Sequence, residues 1–379
     1  MSGDLVRRRQ RLERLAGGDL DWVSLAAQAS DVVREVVPFT RACWHTVDPG
    51  TVLFNGVLTH EITCSGTWLA EHEYVIEDVN KWWFLARSGR GAGATSLATH
   101  GDLSRSARHR SHMGWGIGDE LRGSLVADGT YWGAVGFLRE EDQPWFTEQD
   151  TRFLASICKP LAQGFRRATL LASVAAPPSS DEAPGVVVFA PNGDPESISP
   201  SAQRWIADLN EEPSPAQPTD SRIVQLVAER ARSLGAGQDP LGFAARARAQ
   251  TRSGNWLLLY GTPLAGGADG RVAVIIQPAP ASEVAPLVAL AYGLTSRECE
   301  IARLCMQGTS TKKMAHALNV SPYTIQDHLK SIFAKTGVRT RGELVGQVFL
   351  EHYIPLWEPT TNPPASWAAL QGSPPEPHS

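Results

Sequence analysis

Cysteine is scarce in this chain: five residues among 379, at Cys43, Cys64, Cys158, Cys299 and Cys305, an odd number with no C-x-x-C pair. That pattern argues against a disulfide framework or a zinc site and favours each thiol as a small buried hydrophobe, with a redox-sensing thiol as the alternative. No run of roughly eighteen apolar residues occurs, so no membrane-spanning helix is expected. The N-terminus, Met1 to Arg9, carries charge where a secretory signal would have its apolar core, and the chain is expected in the cytoplasm. A G-x-x-x-x-G-K-[ST] loop is missing, as are the acidic pair, Asp and Lys of a phosphoacceptor domain. No nucleophile–base–orienter spacing is visible, so the chain is not expected to be an enzyme and no cofactor is assigned.

Lysine is also sparse. Of six, only Lys81 and Lys159 lie outside the stretch from Lys312 to Lys335. The chain as a whole carries −5, yet eight basic against five acidic residues give +3 between Leu294 and His352, leaving about −8 on the remainder. A small basic segment on an acidic body suits a tethered nucleic-acid reader. With 42% hydrophobic and 20% charged residues the composition is that of a globular protein, and the length suits two or three domains.

Two low-complexity stretches divide the chain. Residues 175–184 (AAPPSSDEAP) have too few apolar groups to pack, and the Pro-rich tail over 354–379 reads as unfolded. The first segment, 1–174, opens with a helical stripe (Trp22, Leu25, Ala26, Val32, Val33) stopped by Pro38. Strand-like runs follow around Asp48-Pro49-Gly50 and around Asp128-Gly129, the latter a two-residue hairpin turn. A long helix is predicted from Thr147 to Leu171, with Glu148 and Asp150 in its first turn. The second segment, 185–280, has a strand at Val186–Ala190, helices at Ser201–Leu209 and Ser221–Leu234, a surface loop at Pro213–Pro218, a hairpin around Ser253-Gly254-Asn255 and a last strand at Arg271–Gln277. A connecting helix is assigned to 281–293. The fold class is therefore multidomain, with two α+β units ahead of an all-α unit at 294–353.

That last unit carries the sharpest local signals. Thr295 and Glu298 form a capping box, and Ile301, Leu304 and Cys305 give the i, i+3, i+4 stripe. Gly308 ends this helix. A short helix from Ser310 to Leu318 buries Met314, Ala315 and Leu318. Asn319-Val320 turns the chain, Ser321 caps a third helix, and Pro322 takes its first position. Ile325, Leu329, Ile332 and Phe333 then share one face, with Tyr323, Gln326, Asp327, Lys330 and Ala334 opposite. Gln can pair with adenine, Lys with guanine, and Asp can accept from cytosine N4. From pattern alone, a plain three-helix bundle with a solvated face explains these residues equally well.

The segments Leu294-Thr295-Ser296-Arg297-Glu298, Gly308-Thr309-Ser310, Met314-Ala315, Val320 to Lys330 and Lys335 to Arg341 closely resemble the LuxR-type helix-turn-helix over about sixty residues. The resemblance implies a transcription regulator that binds double-stranded DNA. Gln326, Asp327 and Lys330 then meet the major groove, while Ser321, Thr324, Lys335, Arg339 and Arg341 lie near phosphates. Tyr323, Lys312 and Lys313 complete the candidate interface. The helix from Gly342 to Tyr353 resembles the family's dimerisation helix, which implies a homodimer on a pseudo-palindromic operator and RNA polymerase as a partner. Two departures stand out. Lys313 replaces the family's usual Glu, removing a second capping box, and Asp327 places an acid in the reading helix. Asp327 reads cytosine, orients Lys330, or only trims affinity.

The first segment resembles a GAF-type sensor and the second is similar to a PAS-like fold, both on element order alone. They imply an unknown effector, a small molecule or a protein. An enzyme with accessory DNA binding is the rival reading. His100, His109 and His112 are not taken as metal ligands, because Ser104 to Arg110 reads as an exposed polar helix. Trp82, Trp83, Phe84, Trp115, Tyr131 and Trp132 are read as core rather than pocket.

Overall fold

The computed structural model describes residues 3–62, 64–173, 183–209, 221–237, 244–264 and 270–346. The expected surface loop at Pro213–Pro218, most of the linker at 175–184 and the Pro-rich tail lie outside them.

The chain opens with α1 (Gly3–Ala16), a helix that its sequence does not announce. Next comes α2 (Trp22–Arg34), whose first turn is fastened by the Asp21 carboxylate accepting from the Ser24 backbone N–H at 2.9 Å. Trp22, Leu25, Ala26, Ala29, Val32 and Val33 repeat at helical spacing and are all buried. Five antiparallel strands follow: β1 (Arg41–Val47), β2 (Phe54–His60), β3 (Ala92–Ala94), β4 (Ile117–Ala127) and β5 (Thr130–Glu140), in spatial order β2-β1-β5-β4-β3. Asp128 and Gly129 join β4 to β5 with φ of 52° and 77°, the double positive φ of the predicted two-residue turn. The side chains alternate as a pleated sheet requires. On β1, Ala42 and Trp44 enter the core under α1, α2 and the long α7 (Glu148–Ser173), whereas Cys43 and Val47 enter the core on the other face.

That other face is covered by short helices, α3 (Gly66–Ala70), α4 (Trp82–Ser88), α5 (Thr95–Ala98) and α6 (Ala107–His112). Arg108 in α6 corrects the expectation of an exposed polar helix. It is 1% exposed, because its guanidinium is drawn inward by Glu120 at 2.6 Å and Asp78 at 3.1 Å. Arg122 extends the network to Glu120 and Glu73 and lies over the Trp82 ring at 3.6 Å. Charges this deep persist only when paired.

The second segment repeats the strand order. β6 (Gly185–Phe189), β7 (Pro195–Ile198), β8 (Arg246–Gln250), β9 (Trp256–Pro263) and β10 (Val272–Pro278) lie as β7-β6-β10-β9-β8, again with first and last strands side by side. Its helices are α8 (Pro200–Asp208) and α9 (Arg222–Gly235). The two front segments, each with its own sheet, pack closely against one another. Helix α9 is buried nearly all round, Ile223, Leu226, Val227 and Ala231 at 0% exposure, in one core shared by side chains of both segments. An all-round buried helix is an interior layer. The Gly66 backbone N–H donates to Gln225 Oε1 at 2.5 Å, and a Cβ on residue 66 would collide with the Arg222 carbonyl, so glycine is required there. Asp48, 1% exposed, accepts from the Arg248 backbone N–H at 2.9 Å and from its Nε at 2.8 Å.

His45, 2% exposed between Phe54 and Trp82, is held neutral. Burial, then the Arg122 and Arg222 charges, push its pKa down to about 3. The unfolded chain therefore takes a proton near pH 6.5 that the folded one refuses. Stability from this group is complete above pH 6.5 and falls away as pH drops toward 3. Urea midpoints measured across that window should decline less steeply for His45→Gln than for wild type; equal slopes would mean that other groups carry the acid sensitivity.

Five free thiols are present, as the odd count suggested, and burial pushes that of Cys158 up to about 12. A thiol so protonated is a poor redox sensor.

Candidate nucleic-acid interface

Among the described residues the C-terminal unit has five helices: α10 (Ala281–Ala291), α11 (Ser296–Met306), α12 (Thr311–Ala317), α13 (Pro322–Thr336) and α14 (Arg341–Val345). Helix α10 serves two cores. Leu287 and Ala291 pack with the first segment against α7, while Val288 and Ala289 pack with the C-terminal helices.

The predicted capping box is present in both directions: Thr295 Oγ1 accepts from the Glu298 N–H at 3.3 Å, and the Thr295 N–H donates to Glu298 Oε2 at 2.7 Å. Glu298 goes further. Its carboxylate also accepts from Ser331 Oγ at 2.6 Å and Lys335 Nζ at 2.7 Å, both on α13. Burial alone would raise its pKa, but the hydrogen bonds from Lys335, Ser331 and Thr295 outweigh it and hold the group at about 2. Arg297 adds a second tie, donating to the Leu318 carbonyl at 2.7 Å and so fixing the end of α12.

Ser310 caps α12 through the Lys313 N–H at 3.4 Å, and with lysine at that position no carboxylate closes a box. The turn between α12 and α13 places Asn319 at φ 52°, a left-handed conformation that asparagine tolerates better than most residues. Ser321 caps α13 by accepting from Thr324 N–H at 3.0 Å, and Gly337 closes it at φ 74°. Ile325 and Ile332 are fully buried and Leu329 nearly so; Phe333 is half-buried on the same core.

The opposite face of α13 is open. Tyr323 is 69% exposed, and Gln326, Asp327 and Lys330 are exposed beside it. Asp327 Oδ1 lies 3.3 Å from Lys330 Nζ, an exposed i, i+3 pair. Ser321 and Thr324 place two hydroxyls 2.8 Å apart at the helix start, where the partial positive charge of α13 emerges. Lys312, Lys313 and Arg339 are exposed. Lys335 and Arg341 differ from these. Lys335 is engaged by Glu298, and Arg341 braces the start of α12 by donating to Thr311 Oγ1 at 2.8 Å and the Thr309 carbonyl at 3.4 Å. Both have a structural task that the sequence alone did not reveal, since neither partner lies within a helical turn of it. The expected dimerisation helix is described only through Val345 and Gly346; the rest of Gly342–Tyr353 lies outside the described residues. Among the described residues no group of His, Cys, Asp and Glu is arranged to hold a metal, and no helix is long and apolar enough to cross a membrane.

Comparison with known proteins bears on this same unit. Residues 293–347 match the family of bacterial regulatory proteins, luxR family. The monoamine regulon transcriptional regulator of Klebsiella aerogenes is 42% identical over 57 residues, covering 15% of this chain and 25% of that protein. A putative HTH-type transcriptional regulator in the exeN 3′ region of Aeromonas salmonicida is 38% identical over 61 residues, 16% of this chain and 31% of that protein. The chain thus spans a quarter to a third of the length of these relatives. Solved structures similar to larger parts of it include a GAF domain/HD domain protein from Geobacter sulfurreducens, with a TM-score of 0.28, 15% identity, and coverage of 38% of this chain and 92% of that one. The bacteriophytochrome RpBphP3 of R. palustris has a TM-score of 0.32 and 10% identity, over 73% of this chain and 63% of that one. Caps, turn, buried row and open face all lie within residues 293–347, and over that stretch the C-terminal unit is a helix-turn-helix domain of the luxR family.

Proposed function

We propose that the chain is a one-component transcription regulator, in which a front body receives a signal and two C-terminal units, paired in a homodimer, bind a pseudo-palindromic operator. The observation that carries the reading is the open face of α13, with Tyr323, Gln326, Asp327 and Lys330 outward and Ile325, Leu329 and Ile332 anchored behind. Gln326 and Lys330 are the base-reading groups, and Asp327 holds Lys330 in position. Ser321, Thr324, Lys312, Lys313 and Arg339 supply phosphate contacts, with Lys335 and Arg341 at their flank.

The front body is assigned a GAF-like segment over 1–174 and a PAS-like segment over 185–280. A signal reaches the DNA through α10, which contributes to both the front core and the helix-turn-helix core. The reading places the protein in the cytoplasm with RNA polymerase as partner and gives it no catalytic role.

The test is selection of bound sequences from random duplex DNA by the purified protein. Wild type should return a two-fold symmetric site. The double variant Gln326→Ala/Lys330→Ala should relax base preference at the corresponding positions, since each bidentate pairing with a base supplies about 1–3 kcal/mol of discrimination. A variant that selects the wild-type site unchanged would overturn the base-reading assignment. Affinity should fall steeply with added salt, and Lys313→Ala should flatten that slope by about one counterion without altering the selected sequence.

A further inference from the structure

A cleft of about 550 Å³ lies between the front body and the DNA-binding unit, a volume that suits a small organic ligand. Helix α1 contributes Glu13 to its walls, α7 contributes Gln163, Arg166 and Arg167, Tyr292 enters from the end of α10, and Lys335 from the reading helix α13. Arg166 also lies against the joint between α10 and α11, since a Cβ on Gly293 would meet its Nη1 at 3.1 Å.

The polar groups of these walls are open to an occupant: Gln163, Arg167 and Lys335 are exposed and Arg166 is half-buried. Three cations face one carboxylate, and that carboxylate, Glu13, is already paired with Arg9 at 2.9 Å. The acids that pair with the three cations, Asp128, Asp19 and Glu298, do not line the cleft. Both arginines keep donors in reserve. Arg166 spends Nη1 on Asp128, and Arg167 spends Nε and Nη2 on Asp19, which leaves Nε and Nη2 of the first and Nη1 of the second. Asp128 and Asp19 are themselves exposed, and exposed pairs of this kind are weak and exchange readily. A cationic ligand would meet three like charges here. An anion would meet three of opposite sign.

We infer that the cleft binds a small polyanion, a phosphate or polycarboxylate compound, held by Arg166 and Arg167 from α7 and by Lys335 from α13. The planar guanidinium forks match either anionic group, and the lysine acts as a point charge. Gln163 adds an amide donor. Because Lys335 belongs to the reading helix, an occupant ties α13 to the front body and draws on a cation that also flanks the DNA-facing surface. Only this link to regulation rests on the proposed function; the binding itself does not.

The experiment is isothermal titration of the full-length protein, at constant ionic strength, with pyrophosphate as the phosphate probe and citrate as the carboxylate probe. The expected result is saturable binding of at least one probe, the tighter one naming the anionic group. Affinity should drop about tenfold or more in Arg166→Gln and in Arg167→Gln, as loss of a charge-assisted hydrogen bond requires. Lys335→Gln should weaken binding by a similar factor, whereas Lys312→Ala/Lys313→Ala should bind the probes like wild type. Wild-type affinity in both arginine variants, or a loss confined to the Lys312/Lys313 variant, would overturn the site, because the anions would then be collecting on the DNA-facing surface. Lack of saturable binding below roughly 10 mM would overturn it as well. Binding that needs the arginines but not Lys335 would overturn the bridge to α13. Arg166 and Arg167 make only exposed pairs on α7, so their variants should fold, and thermal unfolding of each checks this. No DNA is present in the titration, so failure here and failure of the regulator reading are separable.

Discussion

Replacement of Arg248 by alanine should destabilise the front body by about 3–5 kcal/mol, the usual cost of leaving one partner of a buried ion pair alone. Arg248 joins three pieces of chain. Its guanidinium binds Asp48 through Nε at 2.8 Å and again through Nη2, and its Nη1 donates to the Glu283 carbonyl at 2.8 Å at the start of α10. Arg246 reaches the Glu283 carboxylate beside it at 3.1 Å. Without the guanidinium, the Asp48 carboxylate, 1% exposed, keeps only the N–H groups of Arg248 and Gly50. Urea unfolding followed by tryptophan fluorescence should show a lower midpoint, and the single transition expected of one shared core should divide into two. Asp48→Asn combined with Arg248→Met should recover much of the loss, since removing both charges also removes their desolvation. An unchanged midpoint in Arg248→Ala would show that the two segments hold together without this pair.

The second large effect concerns Glu298. Glu298→Ala should cost the helix-turn-helix about 2–3 kcal/mol, the range for hydrogen bonds to a charged group. For a unit of about 55 residues, whose whole stability is on the order of 3–8 kcal/mol, that is a large share. The loss has a pH signature. The folded carboxyl titrates at about 2 against an ordinary value of 4.5, so its contribution is complete above pH 4.5 and is lost as pH falls toward 2. The alanine variant should lack this dependence. A conservative Glu298→Gln separates two roles for Lys335. It keeps an acceptor for the Thr295 N–H but releases the lysine from its ion pair. At a temperature where this variant stays folded, the salt dependence of DNA binding should steepen by about one counterion if the freed ammonium takes up a phosphate. An unchanged slope would mean that Lys335 is wholly structural.

The reading helix itself was legible because its signals are local. Ser321 before Pro322, Gly337 after the last turn, and Ile325, Leu329 and Ile332 on one stripe depend only on residues within four positions of one another. The hairpin at Asp128-Gly129 and the start of α7 at Glu148 are of the same kind. The charged residues are misleading. Arg108 reads as surface because arginine mostly is, and only the sheet that brings Glu120 beneath it makes burial tolerable. Helix α1 escapes notice because its charges hide a stripe that becomes an interior face only once α7 lies against it.

Taken alone, the order of residues determined the three helices of the DNA-binding unit, their caps, the outward set Tyr323, Gln326, Asp327 and Lys330, and the α+β character of what precedes them. Hydrogen bonds within a turn and the periods of helix and strand decide such features before any long-range contact forms. Tertiary structure decided that two front segments share one core around α9, that Asp48 finds Arg248 at a separation of 200 residues, and that Glu298 claims Lys335. These depend on which faces meet when the chain closes, and no local period records a partner that distant.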